Sequence, residues 1–266
     1  MVLRPVFRTT LLLGALTGLL LAFGYVVAGP EGVLPALLLA ALLNLAAYWF
    51  SDRAALAMAG AREVSYAEAP VLHRIVANLA ARAELPMPRV AIVEAAAPNA
   101  FATGRDPHHA VVAVTTRLLE ILDEDELVAV LAHELGHVRN RDILISSVAA
   151  TLAGAVTALA DWLQWGLFFG AHQDDDDPSP LHWLGALMML VLAPIAAMLI
   201  QLAISRGREF GADETGAELI GDPLALARAL EKIEEYAAGT PLHVNPAVSH
   251  LFIIPPLTGE ALVLLR

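Results

Sequence analysis

The chain has 266 residues, of which 58% are hydrophobic and 17% charged, and its mean hydropathy of +0.63 excludes an ordinary soluble domain of this length. A formal net charge of -12 offers no basic stripe to neutralise phosphates, which excludes a nucleic-acid partner. No cysteine is present, so disulfide frameworks and thiolate metal sites are excluded as well, and a bound zinc ion would have to rest on histidine and carboxylate.

Four stretches are long and apolar enough to cross a hydrocarbon core about 30 Å thick, which takes roughly 20 helical residues. They are Thr9 to Ala28, Val33 to Phe50, Ile143 to Gly170 and Leu181 to Ser205. The second is only just long enough and contains Asn44, so a tight hairpin with the first is expected, turned by Gly29, Pro30, Glu31 and Gly32. Arg4 and Arg8 ahead of the first apolar run also fit a cleavable signal sequence, but a second apolar run follows at once and favours the hairpin. Asp161 and Gln164 lie near the far end of the third span, and Pro194 is expected to kink the fourth.

Every arginine and the single lysine fall before Thr9, between Arg53 and Arg141, or after Ser205. The short connections 29–32 and 171–180, the latter with the run Asp174 to Asp177, have none. By the positive-inside rule, both termini and both basic regions face the cytoplasm and the aspartate run faces outside.

On the cytoplasmic side, Ala67 to Ala83 has apolar residues at helical spacing and stops before Pro86 and Pro88. Arg89 to Glu94 and Ala110 to Thr116 read as two strands joined by a loop through Pro98, Asn99, Gly104 and Pro107. Asp123 and Glu126 form a capping box for the next helix, with Leu122 and Leu127 as its staple. Arg208 to Ile220 and Pro223 to Tyr236 read as two further helices.

The helix that starts at Asp123 carries "AVLAHELGHVRNRD", residues 129–142. Positions four apart share one helical face, so His133 and His137 can point at a single metal ion, with Glu134 beside them. A hydrolytic zinc site takes three protein ligands and one open position. "SRGREFGAD" supplies Glu209 as a third ligand on the same side of the membrane, and Asp213 one turn later to hold the free ring nitrogen of a ligating histidine. His73, His108, His109, His172, His182 and His243 read as surface or loop residues, while His250 fits either role.

Together with "PNAFATGRDPHHAVVAVTTRLLE", "ISRGREFGADETGAELIGDP" and "SHLFIIPPLTG", this motif resembles the HtpX family of membrane-embedded zinc metalloproteases along nearly the whole chain. The resemblance implies His133, His137 and Glu209 as ligands of one zinc ion per chain, Glu134 as the catalytic glutamate and Asp213 as its supporting carboxylate. It implies quality-control proteolysis of damaged or misfolded membrane proteins, or other unfolded polypeptides, at the cytoplasmic face of a bacterial inner membrane. Family members continue past the leucine-threonine-glycine segment into a histidine-proline stretch, an expected source of groups that steady the transition state; this chain ends at Arg266.

The expected fold is therefore a mainly α membrane protein, with four transmembrane helices and a cytoplasmic α+β zincin-like catalytic domain. Its divisions are a transmembrane hairpin (1–50), a catalytic part with the motif helix (51–142), a second transmembrane pair with an acidic external loop (143–205), and cytoplasmic helices with the third ligand (206–266). Its partners are the lipid bilayer and polypeptide substrates; no oligomeric state is specified. The run Ala110, Val112, Ala113, Val114 reads as a sheet edge on which substrate is added as a strand, the alternative being a plain core strand. The competing function is a non-catalytic membrane scaffold or metal-binding module that keeps the protease fold.

Overall fold

A computed structural model describes residues 30–155, 205–237 and 245–253, together with scattered positions between 10 and 29. The expected fourth span, the far half of the third and the aspartate run lie outside the described residues.

The described positions from 10 to 28 are helical, and Gly29 adopts the left-handed conformation (φ 61°) that lets Pro30 open α1, Pro30–Ala59. The two helices meet closely at the hairpin, where a Cβ on Gly32 would lie 2.0 Å from the Gly24 carbonyl oxygen. Deeper in, Asn44 Nδ2 donates to Thr17 Oγ1 at 2.9 Å, an interhelical hydrogen bond that ties the two helices together. α1 has a mean hydropathy of 2.0 over its most apolar window, 11% of it buried, and is long enough to cross a membrane. It is also longer than expected. Beyond Phe50 it continues nine residues to Ala59, burying Ser51, Asp52, Ala55, Leu56 and Ala59, so the division at residue 50 falls inside one continuous helix. Asp52 pairs with Arg89 and Arg89 with Glu63, which fastens α1 to the sheet.

The strands are β1 (Ala61–Glu63), β2 (Arg89–Val93), β3 (Ala100–Thr103) and β4 (Val111–Thr115), arranged β1-β2-β4-β3. β4 runs parallel to β2 in the register Ala91↔Ala113 and antiparallel to β3 in the register Phe101↔Ala113. Residues Val90, Ala100, Ala102, Val112 and Val114 face a core built with α2 (Pro70–Arg82) and α4 (Glu124–Arg139). Their neighbours Ala91, Val93, Phe101, Val111 and Ala113 face a second core with Ala55, Leu56, Val248 and Phe252.

This arrangement corrects the expected edge strand. Ala110, Val112, Ala113 and Val114 are at most 2% exposed, and Val112 to Val114 have strand partners on both sides. Small and branched residues on both faces mark a strand covered above and below, not an open edge. The edge beside the motif helix is β3, within the segment expected to be loop.

The motif helix forms as its sequence dictates. Asp123 accepts the Glu126 N–H at 2.9 Å and Glu126 accepts the Asp123 N–H at 3.0 Å, closing the capping box. Lys232 of α7 (Pro223–Ala237) reaches the buried Glu126 carboxylate at 2.6 Å. Leu131 and Leu135 are fully buried, each contributing about 1.5–3 kcal/mol by burial. α3 (Thr116–Ile121) leads into α4, α5 (Ile143–Ala155) leaves it, and α6 (Arg206–Ile220) packs across it.

Candidate metal centre

The packing of α6 on α4 depends on two missing side chains. A Cβ on Gly136 would lie 2.8 Å from the Ala212 carbonyl oxygen, and one on Gly216 would lie 3.0 Å from the His133 nitrogen. With hydrogen at both positions the backbones approach closely, and Glu209, in the first turn of α6, arrives above the two motif histidines. One ligand atom from each of His133, His137 and Glu209 lies within 4.8 Å of the other two. Glu209 Oε2 is 3.8 Å from His133 Nε2 and 3.6 Å from His137 Nε2.

Each histidine is oriented by a carboxylate behind it. His133 Nδ1 lies 2.8 Å from Asp213 Oδ1; since a carboxylate only accepts, Nδ1 carries the proton and Nε2 presents its lone pair to the ligand group. Asp142 stands 3.7 Å from His137 Nδ1. It is carried there by the end of α4, where the Arg141 N–H donates to the Val138 carbonyl and the Asp142 N–H to the His137 carbonyl. These bonds form a Schellman motif, with Arg141 left-handed at φ 59°. Sequence reasoning missed Asp142, although its place five residues after His137 and just past the helix end was the available signal.

The site's electrostatics follow from burial and crowding. Burial pushes the Glu134 carboxyl pKa up, an effect tempered by His133 and His137, and its residue is 2% exposed. Burial works against charge on His137, yet Asp142, Glu209 and Glu134 outweigh it and raise its pKa to about 10. The Glu209 carboxyl, with half its side chain exposed, is opposed by partial burial but lowered by His137 and His133. Two imidazoles and a carboxylate around one point form a nitrogen and oxygen donor set suited to zinc.

These groups line a cleft of about 270 Å³ whose walls include Ala102 of β3, Arg208, and the segment Ser249 to Ile253. Strand alternation decides what β3 presents there. Asn99 accepts the Thr115 N–H, so Asn99, Phe101 and Thr103 bond to β4, while Ala100 and Ala102 turn their backbone groups outward. The Ala102 N–H faces the Glu134 carboxylate. His250, which the sequence left open, is in the opposite wall with Nε2 3.2 Å from the Ser146 carbonyl oxygen; burial lowers its pKa.

Residues 66–252 match the family model described as Peptidase family M48. The chain is 52% identical to a "Protease HtpX homolog" of Aquifex aeolicus over 92% of its own length and 82% of that protein's. It is 54% identical to one of Syntrophobacter fumaroxidans, covering 96% and 92%, and 53% identical to one of Pyrococcus furiosus, covering 95% and 87%. Its fold is similar to that in the crystal structure of S. mikatae Ste24p, with a TM-score of 0.50 and 19% identity over 94% of this chain and 62% of that one. The chain therefore belongs to peptidase family M48 and to the HtpX proteases within it, and is a metalloprotease.

Proposed function

We propose that this protein is a zinc-dependent endopeptidase that cleaves damaged or misfolded membrane proteins, and other unfolded polypeptides, at the cytoplasmic face of the cell membrane. The observation that carries the reading is the convergence of His133, His137 and Glu209 within 4.8 Å beside a buried glutamate and an open strand edge. His133, His137 and Glu209 hold one zinc ion, oriented by Asp213 and Asp142. Bound zinc supplies Lewis acidity, which makes a water nucleophilic near neutral pH and polarises the scissile carbonyl.

Glu134 takes the proton from the attacking water and returns it to the leaving amine. Its raised pKa suits both halves of that task, since a base of ordinary carboxylate strength holds a proton too weakly to pass it on near pH 7. The substrate lies extended along the outer edge of β3, where the Ala102 backbone pairs with it irrespective of side chains. That mode fits a protease for unfolded chains, because backbone pairing demands little of sequence.

The membrane part comprises four spans, 9–28, the apolar part of α1, 143–170 and 181–205. The confinement of positive charge to three regions puts the catalytic groups, both termini and segments 51–142 and 206–266 in the cytoplasm. Support comes from α1, which runs without a break from its apolar half into the core beneath the sheet.

Two measurements test the reading. Cleavage of an unfolded membrane protein should stop on chelation and return with added zinc; cleavage that persists after complete metal removal contradicts it. For orientation, a cysteine at Ser179 should react with an impermeant reagent applied to intact cells while one at Ala61 should not, and the reverse pattern places the catalytic face outside.

A further inference from the structure

The outer edge of β3 is shorter than its sequence. Of the residues that turn outward, Ala100 is already satisfied on both sides. Its N–H donates to Asn99 Oδ1 at 3.0 Å, and its carbonyl accepts the Ile253 N–H at 3.0 Å. At the other end, the next outward position is Gly104, whose N–H donates to Ser147 Oγ at 3.0 Å. Ala102, between them, faces the cleft, and its N–H donates to the Glu134 carboxylate.

The Ile253 contact is not an incidental brush of a loose end. Val248 is 0% and Phe252 4% exposed, and the Phe252 ring packs edge-on against Phe101 with centroids 4.9 Å apart. His250 ties the same segment to α5 through the Ser146 carbonyl. Ser147 is as firmly placed: it is 0% exposed and also bonds Thr103 Oγ1 at 2.7 Å.

We infer that Ile253 and Ser147 are specificity-determining stops that cap the substrate-pairing edge at both ends and leave Ala102, whose N–H is shared with the Glu134 side chain, as the one residue of that edge, among the described residues, at which a substrate backbone can pair. A polypeptide is then held through the backbone at a single residue next to the scissile bond, and pairing gains nothing from a longer extended stretch. The stops trade affinity for breadth, since any chain that can present a short extended segment is accepted. This inference rests on the reading that substrate pairs with β3, and the test separates the two.

Binding of an unstructured ten-residue peptide to the full-length, zinc-loaded Glu134→Gln protein is measured as Kd, with further substitutions added to that background. Ile253→Pro removes the donor to Ala100, and Phe252 already has the extended conformation (φ −76°, ψ 142°) that a residue before proline prefers. The freed Ala100 carbonyl can accept a substrate N–H, so Ile253→Pro should bind the peptide about two- to tenfold more tightly than Ile253→Ala, which keeps the donor. Ser147→Ala, which frees the Gly104 N–H at the other end, should tighten binding independently.

Ala102→Pro is the control for the underlying reading. Its outward N–H is not part of the ladder, so proline is tolerated there, and loss of that donor should weaken binding. Unchanged binding by Ala102→Pro sinks strand pairing itself. Weakened binding by Ala102→Pro, with neither Ile253→Pro nor Ser147→Ala tighter than its reference, overturns the two stops and leaves the pairing intact.

Discussion

Asp213 Oδ1 lies 2.8 Å from Nδ1 of His133, and the pair joins α6 to α4 across 80 residues of sequence. The carboxylate fixes the ring's tautomer and orientation. Asp213→Ala should lower zinc affinity about 10- to 100-fold, measured by competition with a chromophoric chelator. The Asp213 side chain is about half exposed, so the fold should survive; an unchanged zinc affinity would detach Asp213 from the site.

Zinc binding should be strongly dependent on pH, in a direction set by His137. In the metal-free site its pKa is raised to about 10 by Asp142, Glu209 and Glu134 against the opposing effect of burial, so at neutral pH the ring carries a proton that a metal ion must expel. Releasing one proton makes affinity rise about tenfold per pH unit below that value and level off above it. Between pH 6 and pH 8 the gain should be about a hundredfold. Asp142→Asn, by removing the partner behind Nδ1, should flatten the upper end of this profile. A pH-independent affinity over that interval would contradict the electrostatic picture.

Gly136 offers a purely steric test. Its missing Cβ lets the Ala212 backbone approach to a distance where a methyl group would be 2.8 Å from the carbonyl oxygen. Because backbone and not a flexible side chain is in the way, Gly136→Ala should push α6 off α4. The cost should be about 1–3 kcal/mol of stability, and zinc affinity should fall with it as Glu209 moves away. Normal zinc content and thermal stability in this variant would show that the helix contact does not set the ligand spacing.

The convergence of His133, His137 and Glu209 was legible because each helix carries its part of the pattern locally. The spacing of His133 and His137 encodes a shared face, and the Asp123 box announces the helix that carries them. Glu209 and Asp213 emerged from one-turn spacing on a second helix. The expected strands Arg89 to Glu94 and Ala110 to Thr116 are β2 and β4; what failed was the strand order and the outer strand. Ala100 to Thr103 is four residues, poor in β-branched side chains and bounded by Pro98, Asn99 and Gly104, which is the local signature of a loop; it is a strand because β4 and the Phe252 segment give it partners. The opposite error befell β4, whose branched run gives no sign of which neighbours will flank it. Strand order is a property of tertiary pairing, and neither alternation nor turn residues record it. The nine extra residues of α1 were hidden for a related reason: hydropathy ends at Phe50, but helicity is sustained by packing of Ala55, Leu56 and Ala59 on the sheet.

In the proposed mechanism Glu134 is the proton-transfer group of a site whose metal is held by other residues. The direct measurement is zinc content and peptide cleavage on one preparation of Glu134→Gln. The variant should retain about one zinc per chain, as three ligands remain, and its cleavage rate should fall at least about a hundredfold, the usual contribution of a general base. Cleavage near the wild-type rate at full zinc occupancy would contradict the claim.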